Sequence, residues 1–207
     1  MSARLPADRR NGSPLVASVG SMVALLGGLV VFALMAVIVL NMLAGDESPD
    51  ASVGAGLLLW AACLVHADTV LDAAYLDVAR VPVPRGLALG LAVVVGVGGF
   101  TLFGWATRTL VRDGQFDGLR AERLVRTGPY ALMRHPQHAG WATMLLAVAI
   151  AGRSLVGLAL VGVFVLFVGR LARIEDRDLR ARFGSEFDGW RAATPAVFTG
   201  RRRIASA

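Results

Sequence analysis

The chain alternates long apolar runs with short charged ones, and the lengths of the runs set the architecture. Leu15–Leu43 holds 29 consecutive uncharged residues, more than the ~20 that cross a bilayer as a helix. A second apolar run begins at Ala51–Val65 and continues into His66, Asp68, Asp72 and Tyr75. Gly86–Thr107 supplies a third, 22 residues without a charge. Two shorter runs, Ala139–Gly152 and Ser154–Gly169, are turned by Gly152-Arg153-Ser154 and predict a tight helical hairpin. Beyond Gly169, Leu171, Ile174, Leu179 and Phe183 recur at roughly helical spacing, so the helix should run on into water until Gly184 stops it. The pattern predicts an all-α integral membrane helical bundle of about five transmembrane helices, with a C-terminal hairpin and a cytoplasmic helix.

The polar stretches read as connectors. Residues 1–14 form a loose terminus, Asp46–Asp50 an acidic turn, and Val81-Pro-Val-Pro-Arg85 a rigid extended link. Arg108–Arg126 turns at Asp113-Gly114 and then lies as a basic segment at the interface. A short amphipathic piece at Glu186–Trp190 precedes Pro195 and the Arg201–Arg203 tail. Gly20, Gly27 and Gly28 in the first span, and Gly96, Gly98 and Gly99 in the third, favour close helix contact. Asp68 and Asp72 fall on one helical stripe. That stripe lines an acceptor pocket or meets water at a helix end.

Composition narrows the function. With 56% hydrophobic residues over 207 positions and a mean hydropathy of +0.62, the chain reads as one membrane domain. Its N-terminal spans cover residues 15–95, and residues 96–198 form a second, more polar-punctuated half. All 21 basic residues are arginine. Without lysine, Schiff-base chemistry and Walker-type phosphate loops are excluded. The net charge of +6 flanks apolar spans and forms no single basic face, which suits membrane anchoring and not nucleic acid. Cys63 lies in an apolar run and reads as a core thiol. Three histidines without cysteine partners give no zinc pattern, and no metal is expected. The first apolar stretch is long enough to be a span and not a cleavable signal.

The stretch Arg126–Gly140 is polar, rigid and set between apolar helices. Pro136 disfavours a helical His135 and suits the first position of a new helix, so His135 should sit at a bend before a helix N-terminus. The free N–H groups there attract anions. The hairpin returns Glu175 to the same membrane face. Glu175 has leucine at both 171 and 179 and so lacks a helical charge partner, whereas Asp176 can pair with Arg180 and Asp178 with Arg182. Arginine counting gives fifteen on the signature face against six on the other, which places that face in the cytoplasm.

Gly128-Pro129-Tyr130, then Arg134-His135-Pro136, then Gly140, followed by Arg173-Ile174-Glu175-Asp176, Arg182-Phe183-Gly184 and Pro195, resembles the signature of the isoprenylcysteine carboxyl methyltransferase and phospholipid methyltransferase superfamily. The resemblance spans roughly residues 96–198. It implies an integral membrane enzyme that moves a methyl group from S-adenosylmethionine to a lipophilic small molecule or lipid, at a carboxylate, amine or thiol. It also implies a cofactor site that includes Gly128, Pro129, Tyr130, Arg134, His135, Pro136, His138, Glu175 and Asp176. Arg134 and the N–H groups of the fourth helix would take the cofactor carboxylate, and the acidic pair its ribose hydroxyls or ammonium. No catalytic residue is assigned. Two departures stand out: His138 occupies a position usually held by tyrosine, and the acidic pair is Glu-Asp where Glu-Glu is usual. Ala193-Thr194-Pro195 also lacks the basic residue that prenylcysteine enzymes carry there. The expected setting is a bacterial cytoplasmic membrane, with a membrane-borne substrate and neither nucleic acid nor metal as partner. Two rivals are a sterol-reductase-like enzyme using a nicotinamide cofactor, and a non-catalytic membrane scaffold.

Overall fold

A computed structural model describes residues 14–45, 49–76, 79–113 and 123–197. The expected loose terminus, most of the acidic turn, the basic segment after Asp113 and the Arg201–Arg203 tail lie wholly or largely outside the described residues. Among the described residues the six α-helices are α1 (Pro14–Gly45), α2 (Pro49–Tyr75), α3 (Arg85–Arg112), α4 (Pro136–Gly152), α5 (Leu155–Phe183) and α6 (Ser185–Ala193). A 3-10 turn, Gly128–Ala131, precedes α4. The described residues contain no strand, only an isolated bridge between Arg80 and Ser154.

Among the described residues, four helices are long and apolar enough to cross a membrane: α1, α2, α3 and α5. The fifth expected span, α4, has 17 residues, about 25 Å at 1.5 Å per residue, at the short end of what spans a bilayer. It lies closely against α3 instead of standing alone. A Cβ on Gly140 would fall 2.7 Å from the Phe103 backbone N, and one on Gly99 would fall 2.9 Å from the Gly140 carbonyl O. Neither neighbour can move without parting the two helices, so glycine at both positions sets their separation. Of the three glycines expected to pack in α1, only Gly28 has this role, packed against Thr69; Gly20 and Gly27 face open space.

Outward faces carry Leu34, Val94, Phe100 and Leu166, all exposed. A row of large apolar side chains turned outward is what lipid, not water, selects. The inner core joins Phe32, Ala62, Val70, Leu145, Leu160, Phe164 and Phe167 from four helices. His66 is fully buried in it, its Nε2 3.0 Å from the Leu160 carbonyl O and its ring stacked on Phe164. Cys63 packs on the edge of the same core.

The α4–α5 turn fixes which end is which. Arg153 caps α4 in the left-handed region at φ 54° and donates to the Val83 carbonyl O at 3.0 Å. Ser154 caps α5 by accepting from the Gly157 N–H at 3.0 Å, and donates to the Ala73 carbonyl O at 2.8 Å. The link after α2 pairs here through Val81 N to Arg153 O and Leu155 N to Ala79 O. The last turns of α2, which carry Asp72, therefore meet the hairpin tip. The start of α4 and the end of α5 lie at the opposite end of the bundle.

Candidate active site

Helix lengths bring the two polar motifs level. From Pro136 to Gly152, α4 travels about 25 Å away; from Leu155 to Glu175, α5 returns about 30 Å. Glu175 and Asp176 thus arrive beside the start of α4. His135 is the residue before that helix, at φ −123°, ψ 60°, without a side-chain cap of its own. Pro136 follows at the first helical position, fully buried, as a proline with no N–H to satisfy should be.

His135 is 5% exposed and spans both carboxylates. Its Nδ1 lies 2.9 Å from Glu175 Oε2 and its Nε2 3.1 Å from Asp176 Oδ1. Burial alone would push its pKa down, but the hydrogen bonds that Asp176 and Glu175 accept, with their negative charges, outweigh that and raise it to about 9. At neutral pH the ring is an imidazolium that donates to both carboxylates. His138, one turn along α4, stacks on His135 with centroids 5.5 Å apart and sets Nε2 3.3 Å from Glu175 Oε1. Its Nδ1 is buried without a protein partner.

Arg134 closes the network from the other side. Its Nε and one terminal nitrogen donate to the two Asp176 oxygens at 3.2 and 3.0 Å, and its other terminal nitrogen donates to the Thr194 carbonyl. With its side chain 8% exposed, the guanidinium is engaged within the protein. Asp176 therefore pairs with Arg134 and His135, not with Arg180 as helical spacing suggested; Arg180 pairs with Asp188 at 3.2 Å. The expected Asp178–Arg182 pair forms at 2.9 Å. Glu175 has no partner on its own helix, as expected, and both its partners come from α4 and its cap.

The chain after α6 straps this corner, with Arg134 N donating to Pro195 O at 2.9 Å and His135 N to Ala196 O at 3.1 Å. A second core supports the strap, joining Tyr130, Val125, Ala106, Leu110, Phe187 and Trp190 with Leu179 and Phe183. The Tyr130 phenol sits at its edge, its pKa pushed up by burial and then by the Glu175 charge. Gly128 turns the chain at φ +58° against α3, where a Cβ would lie 2.9 Å from Thr109 Oγ1. Arg126 and Glu186 pair across the rim.

Arg134, His135, His138, Glu175 and Asp176 are thus gathered in one place, with Tyr130 beside them and Gly128, Pro129 and Pro136 shaping the backbone below. The Asp68–Asp72 stripe is not part of it; it points to the hairpin-tip end. The grip of Thr194, Pro195 and Ala196 had no sequence signal beyond the terminal proline, because backbone carbonyls carry no residue code.

The family model described as phospholipid methyltransferase matches residues 87–186. Comparisons with curated proteins and with solved structures each gave no match. The matched segment holds all but the first two residues of α3, the signature stretch, the hairpin and the polar cluster except the tail strap. On that match residues 87–186 are a phospholipid methyltransferase domain, of a family that belongs to the superfamily of integral membrane methyltransferases.

Proposed function

We propose that the protein transfers the methyl group of S-adenosylmethionine to the headgroup amine of a phospholipid, at the membrane face where α4 begins. The family acts on phospholipids, and an amine is the strongest nucleophile that such a headgroup offers. The observation that carries the reading is the convergence of Arg134, His135 and His138 with Glu175 and Asp176, across 40 residues of intervening hairpin. When bound, S-adenosylmethionine would supply the methyl group from its sulfonium: the carbon–sulfur bond would break as the neutral amine bonds to the methyl carbon, and S-adenosylhomocysteine would leave.

The residues of this chain divide the remaining work. The N-terminal N–H groups of α4 favour the cofactor carboxylate. Glu175, with a third of its side chain exposed, offers the accessible carboxylate for an ammonium or ribose hydroxyls. Asp176 and Arg134, both deeper, hold His135 and the tail in place. Tyr130 and the strap at Thr194–Ala196 keep water from one side, which aligns the reacting groups in a dry site. The arginine bias of fifteen to six supports a cytoplasmic orientation for this face, and its apolar outer helices let the acceptor arrive from lipid.

The family match favours this reading over the nicotinamide-dependent reductase. The test is methyl transfer from labelled S-adenosylmethionine to phosphatidylethanolamine vesicles containing the purified protein. Label in the lipid fraction that falls at least about a hundredfold in Glu175→Gln is the expected result. Label that enters only a non-phospholipid acceptor would overturn the acceptor assignment.

A further inference from the structure

We propose that His135, His138 and Glu175 form a binding site for a divalent transition-metal ion of the zinc class, with three protein ligands and an open fourth position. The three offer ligand atoms that all lie within 4.8 Å of one another. Glu175 presents one oxygen 2.9 Å from His135 Nδ1 and the other 3.3 Å from His138 Nε2. Donors held about 2.0–2.1 Å from a tetrahedral ion sit about 3.3 Å apart, so binding draws the three ligand atoms together from a spread of up to 4.8 Å. The imidazoles stand three residues apart at the start of α4 and are stacked 8° from parallel, so the His138 ring, whose Nδ1 has no protein partner, turns to bring its in-plane lone pair to the ion. Glu175 comes from the facing helix, so all three ligands rest on rigid elements.

The surroundings match those of a metal-bound histidine. A ligating imidazole usually gives its other N–H to a carboxylate, which fixes its tautomer and orientation. His135 Nε2 meets Asp176 Oδ1 at 3.1 Å, and Asp176 is itself held by Arg134 at 3.0 Å. Two imidazoles and one carboxylate select zinc-like ions over magnesium or calcium, which prefer all-oxygen sets. Exposure rises from His135 (4%) through His138 (19%) to Glu175 (34%), so the fourth position opens on the Glu175 side. The entering ion takes the place of the proton shared between His135 Nδ1 and Glu175, and that proton leaves to water. The ion then occupies the carboxylate that the cofactor needs, so ion and cofactor exclude each other; this last step rests on the function proposed above.

The test uses the full chain, purified in detergent and stripped with EDTA, titrated with cobalt chloride alone. The expected result is one Co²⁺ per chain with the visible bands of a four-coordinate ion, displaced by Zn²⁺. His138→Phe keeps a flat ring on His135 and removes both nitrogens, one of which has no protein partner. It and Glu175→Gln should each weaken binding at least about tenfold, whereas Asp178→Asn should leave it unchanged. Should both site variants misfold, zinc-edge absorption on the wild type decides alone, with two imidazoles expected at the ion. No stoichiometric binding, binding unchanged in both folded site variants, or fewer than two imidazoles would overturn the site. In a separate arm, S-adenosylhomocysteine binding is measured with and without Zn²⁺. Homocysteine-analogue binding that zinc weakens supports exclusion, and binding that zinc leaves unchanged removes it. No binding even in EDTA would sink the cofactor reading and leave the metal site standing.

Discussion

Two histidines are almost completely buried in this protein, and they do opposite things. His66, in the middle of the bundle, is stacked on Phe164, meets a tilted Phe32 ring and reaches only the Leu160 carbonyl. His135, at the end of the bundle, lies between two carboxylates and is backed by a buried arginine. Both have exposures of 5% or less. The difference teaches that burial alone makes a packing residue, whereas burial combined with opposing charge makes a poised one. It also explains why the polar cluster is confined to one end. Charges deep in the bundle would find no water and no partner, and the hairpin delivers partners only where α5 emerges.

The largest break in this contrast should come from Arg134→Ala. It leaves Asp176 without its guanidinium and the Thr194 carbonyl without its donor, in a corner where both charges are largely buried. Removing one partner of such a pair costs about 3–5 kcal/mol. Thermal unfolding in detergent should show a large loss, and cofactor affinity should fall with it because the strap and His135 are released together. A stability change within experimental error would mean that Arg134 is only a surface anchor.

The second effect is a pH dependence found at one histidine. The folded pKa of His135 is raised to about 9, against about 6.5 in the unfolded chain. Its stabilisation is therefore fully present below pH 6.5 and is lost as pH rises through about 9. The full amount is about 3 kcal/mol. Metal-free wild type should lose thermal stability between pH 7 and 10, and His135→Gln should show a flatter profile. Equal profiles would remove the charged bridge.

His66→Leu gives the smaller, purely structural counterpart. It loses one buried hydrogen bond and the ring stacking, about 2 kcal/mol, yet S-adenosylhomocysteine affinity should stay within about twofold when the protein is folded. A tenfold loss of affinity would couple the core histidine to the site. At the bottom of the scale, Asp178→Asn breaks only the exposed pair with Arg182. It should shift stability by about 0.5 kcal/mol or less.

Much of this contrast is written in the sequence, and the missing part has a physical cause. Uncharged runs and Gly-Pro punctuation suffice for α1, α2, α3 and the α4–α5 hairpin, because lipid demands length and apolarity. Pro136 marks the start of α4, and the leucines at 171 and 179 leave Glu175 free to look across to another helix. By contrast, Asp176 has an arginine four residues on, so local spacing suggests a helical pair; the tertiary partner Arg134 wins because it is buried and two-pronged. His66 gives no sign of its packing role, since one polar residue in an apolar run fits either a core or a site. The metal-compatible trio was equally hidden: two histidines three apart are common, and their third member stands 37 residues beyond His138. Only the hairpin makes them neighbours.

The central claim is that the signature loop and Glu175 together hold the cofactor. The most direct measurement is S-adenosylhomocysteine binding to detergent-purified protein in EDTA, wild type against Glu175→Gln, with Asp178→Asn as the control on the same helix. Saturable wild-type binding is expected, kept by Asp178→Asn and weakened at least tenfold by Glu175→Gln, about 1.4 kcal/mol or more. Folded wild type that binds no S-adenosylhomocysteine, or equal binding by Glu175→Gln, would contradict it.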